Sequence, residues 1–262
     1  GCANDQYAIE KRYWGLQQKA AKVFNNPHAS PPSQVERIVK DLAGFAKRFP
    51  ENRLAVEANF NIARLYIVKE QYDKARSHLR ELVIKYSKYP EINAEALFLL
   101  GNSYEIEDKW EEALLQYKLV IQDYPVTKRG LDVPLYIAQR YKIAHQPEKM
   151  IGAYKEAIVH YNELSNENPG TMLAYSADTL VANCYKEIKD WPATIASLNS
   201  MIEKYWDKAN VEGMLFDIAL IYNRELNDQA KAKGALERLV RNFPEGKLAK
   251  TATALLKEMD KE

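Results

Sequence analysis

The chain is poor in the residues and patterns that carry chemistry. It has two cysteines, Cys2 and Cys184, in 262 residues, too few for a disulfide-stapled scaffold and without a Cys-x-x-Cys pair for redox or zinc work. Its four histidines, His28, His78, His145 and His160, stand at no metal-ligand spacing from an acidic residue or a cysteine, so no metal and no cofactor is expected. His-Glu-x-x-His, Gly-x-Ser-x-Gly and a glycine-rich phosphate loop are all missing, and the reading is of a protein that is not an enzyme. Acidic pairs such as Glu111 with Glu112, or Glu105 with Asp108, fall where a solvated surface accounts for them.

Other absences narrow the class further. No apolar run reaches the roughly 18 residues that a membrane span needs. Lys plus Arg number 37 against 36 Asp plus Glu, and with no concentrated basic footprint a nucleic-acid partner is excluded. Ten Gly and 11 Pro rule out collagen-like sequence, while 47% apolar residues give ample material for a core.

What the chain does have is repetition. Leu97, Leu100, Gly101, Tyr104, Ala113, Tyr117, Val120 and Pro125 fall at offsets 0, 3, 4, 7, 16, 20, 23 and 28. Taking Gly101 as anchor, the equivalent small residues are Ala63, Ala138, Ala182 and Ala219, at intervals of 38, 37, 44 and 37. A small side chain suits a close helix crossing. An aromatic follows three residues later each time: Tyr66, Tyr104, Tyr141, Tyr185 and Tyr222. The spacing resembles the tetratricopeptide repeat, a helix–turn–helix unit of about 34 residues.

The resemblance implies an all-α fold, a right-handed α-solenoid of about six helical pairs with a C-terminal capping helix, and one elongated domain rather than two compact ones. Residues 1–4 form a candidate lipid-anchor segment. Residues 5–50 form an N-terminal helical pair around a Pro-rich loop at 25–33, in which Tyr13, Trp14 and Leu16 supply apolar contacts and Ser33 with Glu36 forms a capping box. Residues 51–245 hold five units, and 246–262 a solvating cap. The second helices are expected to stop at proline. Register slips around Ser87 to Tyr89, where Pro90 comes three residues late, and around Asn162 to Pro169, where the third unit runs about seven residues long.

In this family the first helix of each pair lines a concave groove. Carried onto this chain, that face comprises Phe60, Arg64, Phe98, Asn102, Glu105, Leu135, Gln139, Lys142, Asn183, Lys186, Phe216 and Leu220. Cochaperones of the family that grip acidic peptide termini carry Lys and Asn at two of these positions. Asn102 and Asn183 match, but Phe98 and Thr179 replace the cations, so an apolar or amphipathic peptide, or a partner helix, suits the groove better. Any single one of these aromatics is as readily core as ligand-facing.

Gly1-Cys2-Ala3 resembles the end of a bacterial lipobox, in which Cys2 is acylated. Ala3, rather than Asp, after it resembles the pattern for export to the outer membrane. Endings of aromatic plus proline (Phe49-Pro50, Tyr89-Pro90, Tyr124-Pro125, Phe243-Pro244) resemble those of periplasmic lipoproteins with such repeats, of the β-barrel assembly and Tol-Pal types. The implied function is a non-catalytic scaffold in the bacterial envelope, held by lipid on Cys2 and docking protein or peptide partners, membrane-associated envelope proteins among them. The alternative is a soluble cochaperone or peptide-recognition module, cytoplasmic if Gly1 and Cys2 are cloning remnants. Cys184, inside a helix, reads as a small buried thiol.

Overall fold

A computed structural model describes residues 6–207 and 209–260; Cys2, the candidate acylation site, lies outside them. The described residues form thirteen α-helices and no strand: α1 (Gln6–Asn25), α2 (Pro32–Arg48), α3 (Arg53–Val68), α4 (Tyr72–Lys85), α5 (Pro90–Glu105), α6 (Trp110–Asp123), α7 (Lys128–Ile143), α8 (Pro147–Glu167), α9 (Met172–Glu187), α10 (Trp191–Lys204), α11 (Val211–Arg224), α12 (Gln229–Asn242) and α13 (Ala249–Met259). The fold is the expected all-α helical-repeat solenoid class. Packing divides the chain into two compact units, 1–133 and 134–262, with the division inside α7, where the repeats alone suggested a single domain.

The repeat is written into the backbone as clearly as into the side chains. Among the described residues, the five non-glycine residues with positive φ are Glu70, Asp108, His145, Lys189 and Asn227, each in the turn between the two helices of a pair. Each lets the following amide donate back to an aromatic carbonyl: Gln71 to Tyr66 at 2.9 Å, Lys109 to Tyr104 at 3.0 Å, Gln146 to Tyr141 at 3.0 Å, Asp190 to Tyr185 at 2.9 Å and Asp228 to Tyr222 at 2.8 Å. The first four are the six-to-one bond that closes a helix C-terminus through a left-handed residue, and the fifth spans one residue more. The recurrent tyrosine thus marks the last turn of the helix, second from the end in α5 and third from the end in α3, α7, α9 and α11.

At the crossing, Gly101 lies beneath the ring of buried Tyr117, and a Cβ there would meet Tyr117 Cε1 at 2.5 Å. The equivalent alanines Ala63, Ala138, Ala182 and Ala219 are all buried. Within unit 1, one cluster joins α1, α2 and α3 through Ile9, Tyr13, Leu42, Phe45 and Leu65, and another joins α3, α4 and α5 through Phe60, Leu79, Leu82 and Leu100. In unit 2, Ile202, Leu215, Ile218, Leu236 and Leu239 centre a third.

Four local expectations change. The capping box at Ser33 does not form: Pro31 is the N-cap, no side chain caps it, and α2 begins at Pro32. Proline has its helical φ already set and no N–H to leave unpaired, so it opens the helix ahead of Ser33. Pro90 likewise opens α5 rather than ending α4, whose C-cap is Tyr86. Tyr86 is the counterpart of the C-caps Phe49, Tyr124, Tyr205 and Phe243, so the register does not slip there. The seven additional residues of the third unit continue α8 rather than forming a loop, making it 21 residues against 14 for α4, α6, α10 and α12. Seven residues are close to two whole turns, so Tyr161, Leu164 and Ser165 are buried along the same side as Tyr154, Ala157 and Ile158. Trp14, finally, is 61% exposed, while its neighbours Tyr13 and Leu16 pack inward.

Candidate functional site: the first-helix faces

Positions expected on the first helices fare differently in the two units. In unit 1, Phe60 is 5% exposed and belongs to the core cluster of α3, α4 and α5, so it is not ligand-facing. Phe98, half-buried on α5, is covered by an ion-pair latch. Glu95, one turn earlier, accepts a hydrogen bond from the Arg64 guanidinium on α3 at 3.0 Å through one oxygen and from Arg129 Nε at 2.6 Å through the other. The Arg129 guanidinium sits 3.8 Å from the Phe98 ring centroid, inside cation–π range. Behind the ring lies Tyr117, at 5.5 Å between centroids. Tyr117 in turn donates its hydroxyl proton to Glu105 at 2.7 Å. Asn102 is half-buried on the same helix.

Glu95 and Arg129 were not among the residues expected here. Each lies more than five residues before the crossing residue of its own helix, and only the alternation of charge along successive first helices, Arg then Glu then Arg, points to them. A second charged cluster in unit 1 holds the turns together. Buried Arg76 bonds Asp73 at 2.7 Å and Glu107, with its guanidinium 4.6 Å from the Tyr104 ring centroid.

In unit 2 the same positions are more open. Gln139, Lys142, Asn183 and Lys186 are exposed, and Leu135, Phe216 and Leu220 are half-buried. Lys142 Nζ pairs with Glu187 at 2.8 Å, linking α7 to α9, and Tyr154 lies 3.4 Å from the same carboxylate. Burial and the Glu187 carboxylate hold the Tyr154 hydroxyl and the Cys184 thiol protonated, each pushed up to about 12. Cys184 is therefore the inert buried thiol expected. Thr179 bonds the Tyr175 carbonyl on its own helix at 2.8 Å. Leu220, with Asn223, Leu236, Leu255 and Met259, lines an open recess of about 140 Å³ between α11, α12 and α13.

A family model for the tetratricopeptide repeat matches residues 57–89, 95–125 and 214–246. These three stretches carry the tetratricopeptide repeat. Solved structures similar to it include BtubC (BKLC) from P. vanneervenii, at 15% identity over 89% of this chain and 90% of that one, with a TM-score of 0.42. A tetratricopeptide repeat protein from Parabacteroides merdae is 14% identical over 87% and 79%, at 0.39. The TPR2AB domain of yeast Sti1, solved with an Hsp90 peptide, is 14% identical over 96% and 99%, at 0.34. At such low identities and scores they say nothing about what this chain binds. No curated protein matches it in sequence.

Such repeats are generally non-catalytic interaction modules and imply a protein–protein interaction scaffold. Among the described residues no three His, Cys, Asp or Glu side chains gather where a metal could be held. No described helix is long and apolar enough to cross a membrane.

Proposed function

We propose that this scaffold is a bacterial envelope adaptor, acylated at Cys2, that docks membrane-associated envelope proteins through the first-helix face of unit 2. The observation that carries the choice of face is its openness: Asn183 and Lys186 stand exposed on α9, while the corresponding part of unit 1 is closed by Glu95 and its two arginines. Exposed amide and ammonium groups beside half-buried Leu135 and Phe216 suit an amphipathic helix, which needs an apolar floor and polar margins. The Gly1-Cys2-Ala3 sequence and the aromatic–proline endings support the envelope setting.

A photo-crosslinking residue at position 183 or 186 in the native host tests the docking face. Envelope proteins are the expected adducts, and only cytosolic adducts would overturn the setting. Intact-mass analysis of the native protein tests the anchor: fatty acid on Cys2 is expected, and a free thiol there sinks it. Thiol labelling separates the two cysteines, because buried Cys184 stays unreactive in the folded chain.

A second reading, recognition of free peptide termini, is favoured by one feature. Arg64 and Arg129 bring two cations to the face where Phe98 stands in place of a lysine. It predicts saturable binding of short peptides with a free C-terminus, lost on Arg129→Ala.

A further inference from the structure

Helix α1 is packed on one side only. Ile9, Tyr13, Leu16, Ala20 and Val23 turn inward against α2 and α3. Opposite them, Tyr7, Lys11, Trp14, Gln18 and Lys22 recur at intervals of three and four residues, forming a single exposed stripe about 24 Å long. Tyr7 is 70% exposed and Trp14 61%, a large apolar surface for water to cover. Neither ring, and neither ammonium of Lys11 or Lys22, has a partner among the described residues. The chain as a whole is nearly neutral, yet α1 carries Lys11, Arg12, Lys19 and Lys22 against the single acid Glu10. Lys19 pairs with Asp41 at 3.3 Å, and Glu10 accepts from Gln6 at 2.7 Å, at the margins of the stripe.

We propose that this stripe is a membrane-surface face that lies on an anionic phospholipid bilayer. Indole and phenol rings settle at headgroup depth, apolar body inward and polar tip in water, while lysines meet lipid phosphates. The mixture argues against the alternatives. The buried centre of a protein interface is poor in lysine, and a second copy of α1 laid against the first would set its own ammonium groups together. The face needs no acylation, although α1 begins only four residues after Cys2, so an acyl anchor there would bring the stripe to the bilayer.

The test uses the full unacylated chain with Cys2→Ser, sedimented with vesicles of phosphatidylcholine alone or with phosphatidylglycerol added. Binding is expected only where phosphatidylglycerol is present, weakening as salt rises. Lys11→Glu with Lys22→Glu should weaken it by about tenfold or more, from about one kcal/mol for each basic residue at an anionic surface. Trp14→Ala should weaken it severalfold, and brominated lipid should quench emission from the Cys2→Ser protein but much less from its Trp14→Phe variant. Because these side chains are largely exposed, circular dichroism and the melting midpoint should not change. Equal binding to both vesicle types, binding untouched by all three substitutions, or self-association abolished by Trp14→Ala would each overturn the proposal. Crosslinking from positions 183 and 186 is independent of α1, so failure of this face and failure of the adaptor reading remain distinguishable.

Discussion

Unit 1 and unit 2 place the same repeat to different ends. In unit 1 the first-helix face is closed by charge: Glu95 gathers Arg64 and Arg129, and Arg129 lies over Phe98. In unit 2 the matching positions leave Gln139, Asn183 and Lys186 in solvent, while Lys142 pairs with Glu187 between α7 and α9. Both faces follow from one set of offsets. The repeat fixes where a side chain emerges but not whether it is available, because availability depends on a residue about thirty positions away on a neighbouring first helix.

The largest expected effect tests the packing beneath the closed face. Gly101→Val drives methyl groups into the Tyr117 ring and should destabilise unit 1 by about 1–3 kcal/mol or more in urea unfolding. Hydrogen exchange should accelerate in α5 and α6 and stay unchanged in α11 and α12; equal acceleration throughout would dissolve the distinction between the units.

Next comes unit 2's own buried polar pair. Tyr205 donates to Asp178 at 2.9 Å, and Lys204 reaches the same oxygen at 3.1 Å. Burial, with Asp178 beside it, pushes the Tyr205 hydroxyl up from 10.0 to about 12. Between those values the unfolded chain has released a proton that the folded one retains, so stability falls as pH rises through this window. Tyr205→Phe should cost about 1 kcal/mol at neutral pH and flatten the alkaline limb of a melting-midpoint profile.

Glu95→Ala removes the latch. Because its arginine partners are partly exposed, the stability cost should be about 1 kcal/mol or less. The informative readout is accessibility: a crosslinker at position 98 should capture partners only once Glu95 is gone. Capture with Glu95 in place would show the two faces to be equally open. The smallest effect has the opposite sign. Asp108→Gly relieves a left-handed non-glycine residue and should stabilise by about 0.5–1 kcal/mol in thermal melts, and Asn227→Gly by less, since asparagine tolerates that conformation best.

The fold was legible because its signals are local and repeated. A small residue followed three positions later by an aromatic marks the crossing and the helix end, and each left-handed non-glycine residue among those described falls seven or eight positions beyond that small residue. Sequence and structure part where one residue type has two roles. Proline reads equally as a stop or a start, and Pro90 and Pro32 are starts. The polar stretch from Asn162 to Glu167 reads as loop, yet Leu164 and Ser165 continue the buried side of α8. Of the expected groove residues, Phe60 is core for a reason a single repeat does not reveal, since α3, α4 and α5 together enclose it. Trp14 reads as a packing residue beside Tyr13 and Leu16, but one step along a helix turns a side chain by about 100° and leaves it exposed.

The length of α8 also bears on how such chains change over generations. An insertion inside a second helix survives selection most readily when it adds about two whole turns, as here, because every buried side chain downstream then keeps its bearing. A single added residue would rotate the rest of the helix by about 100° and turn the core outward. The one extra residue of the fifth repeat instead sits in the turn before Asn227, where rotation has nothing to disturb. Changes of length in these helices are therefore tolerated in steps of about two turns, and single residues only in the turns.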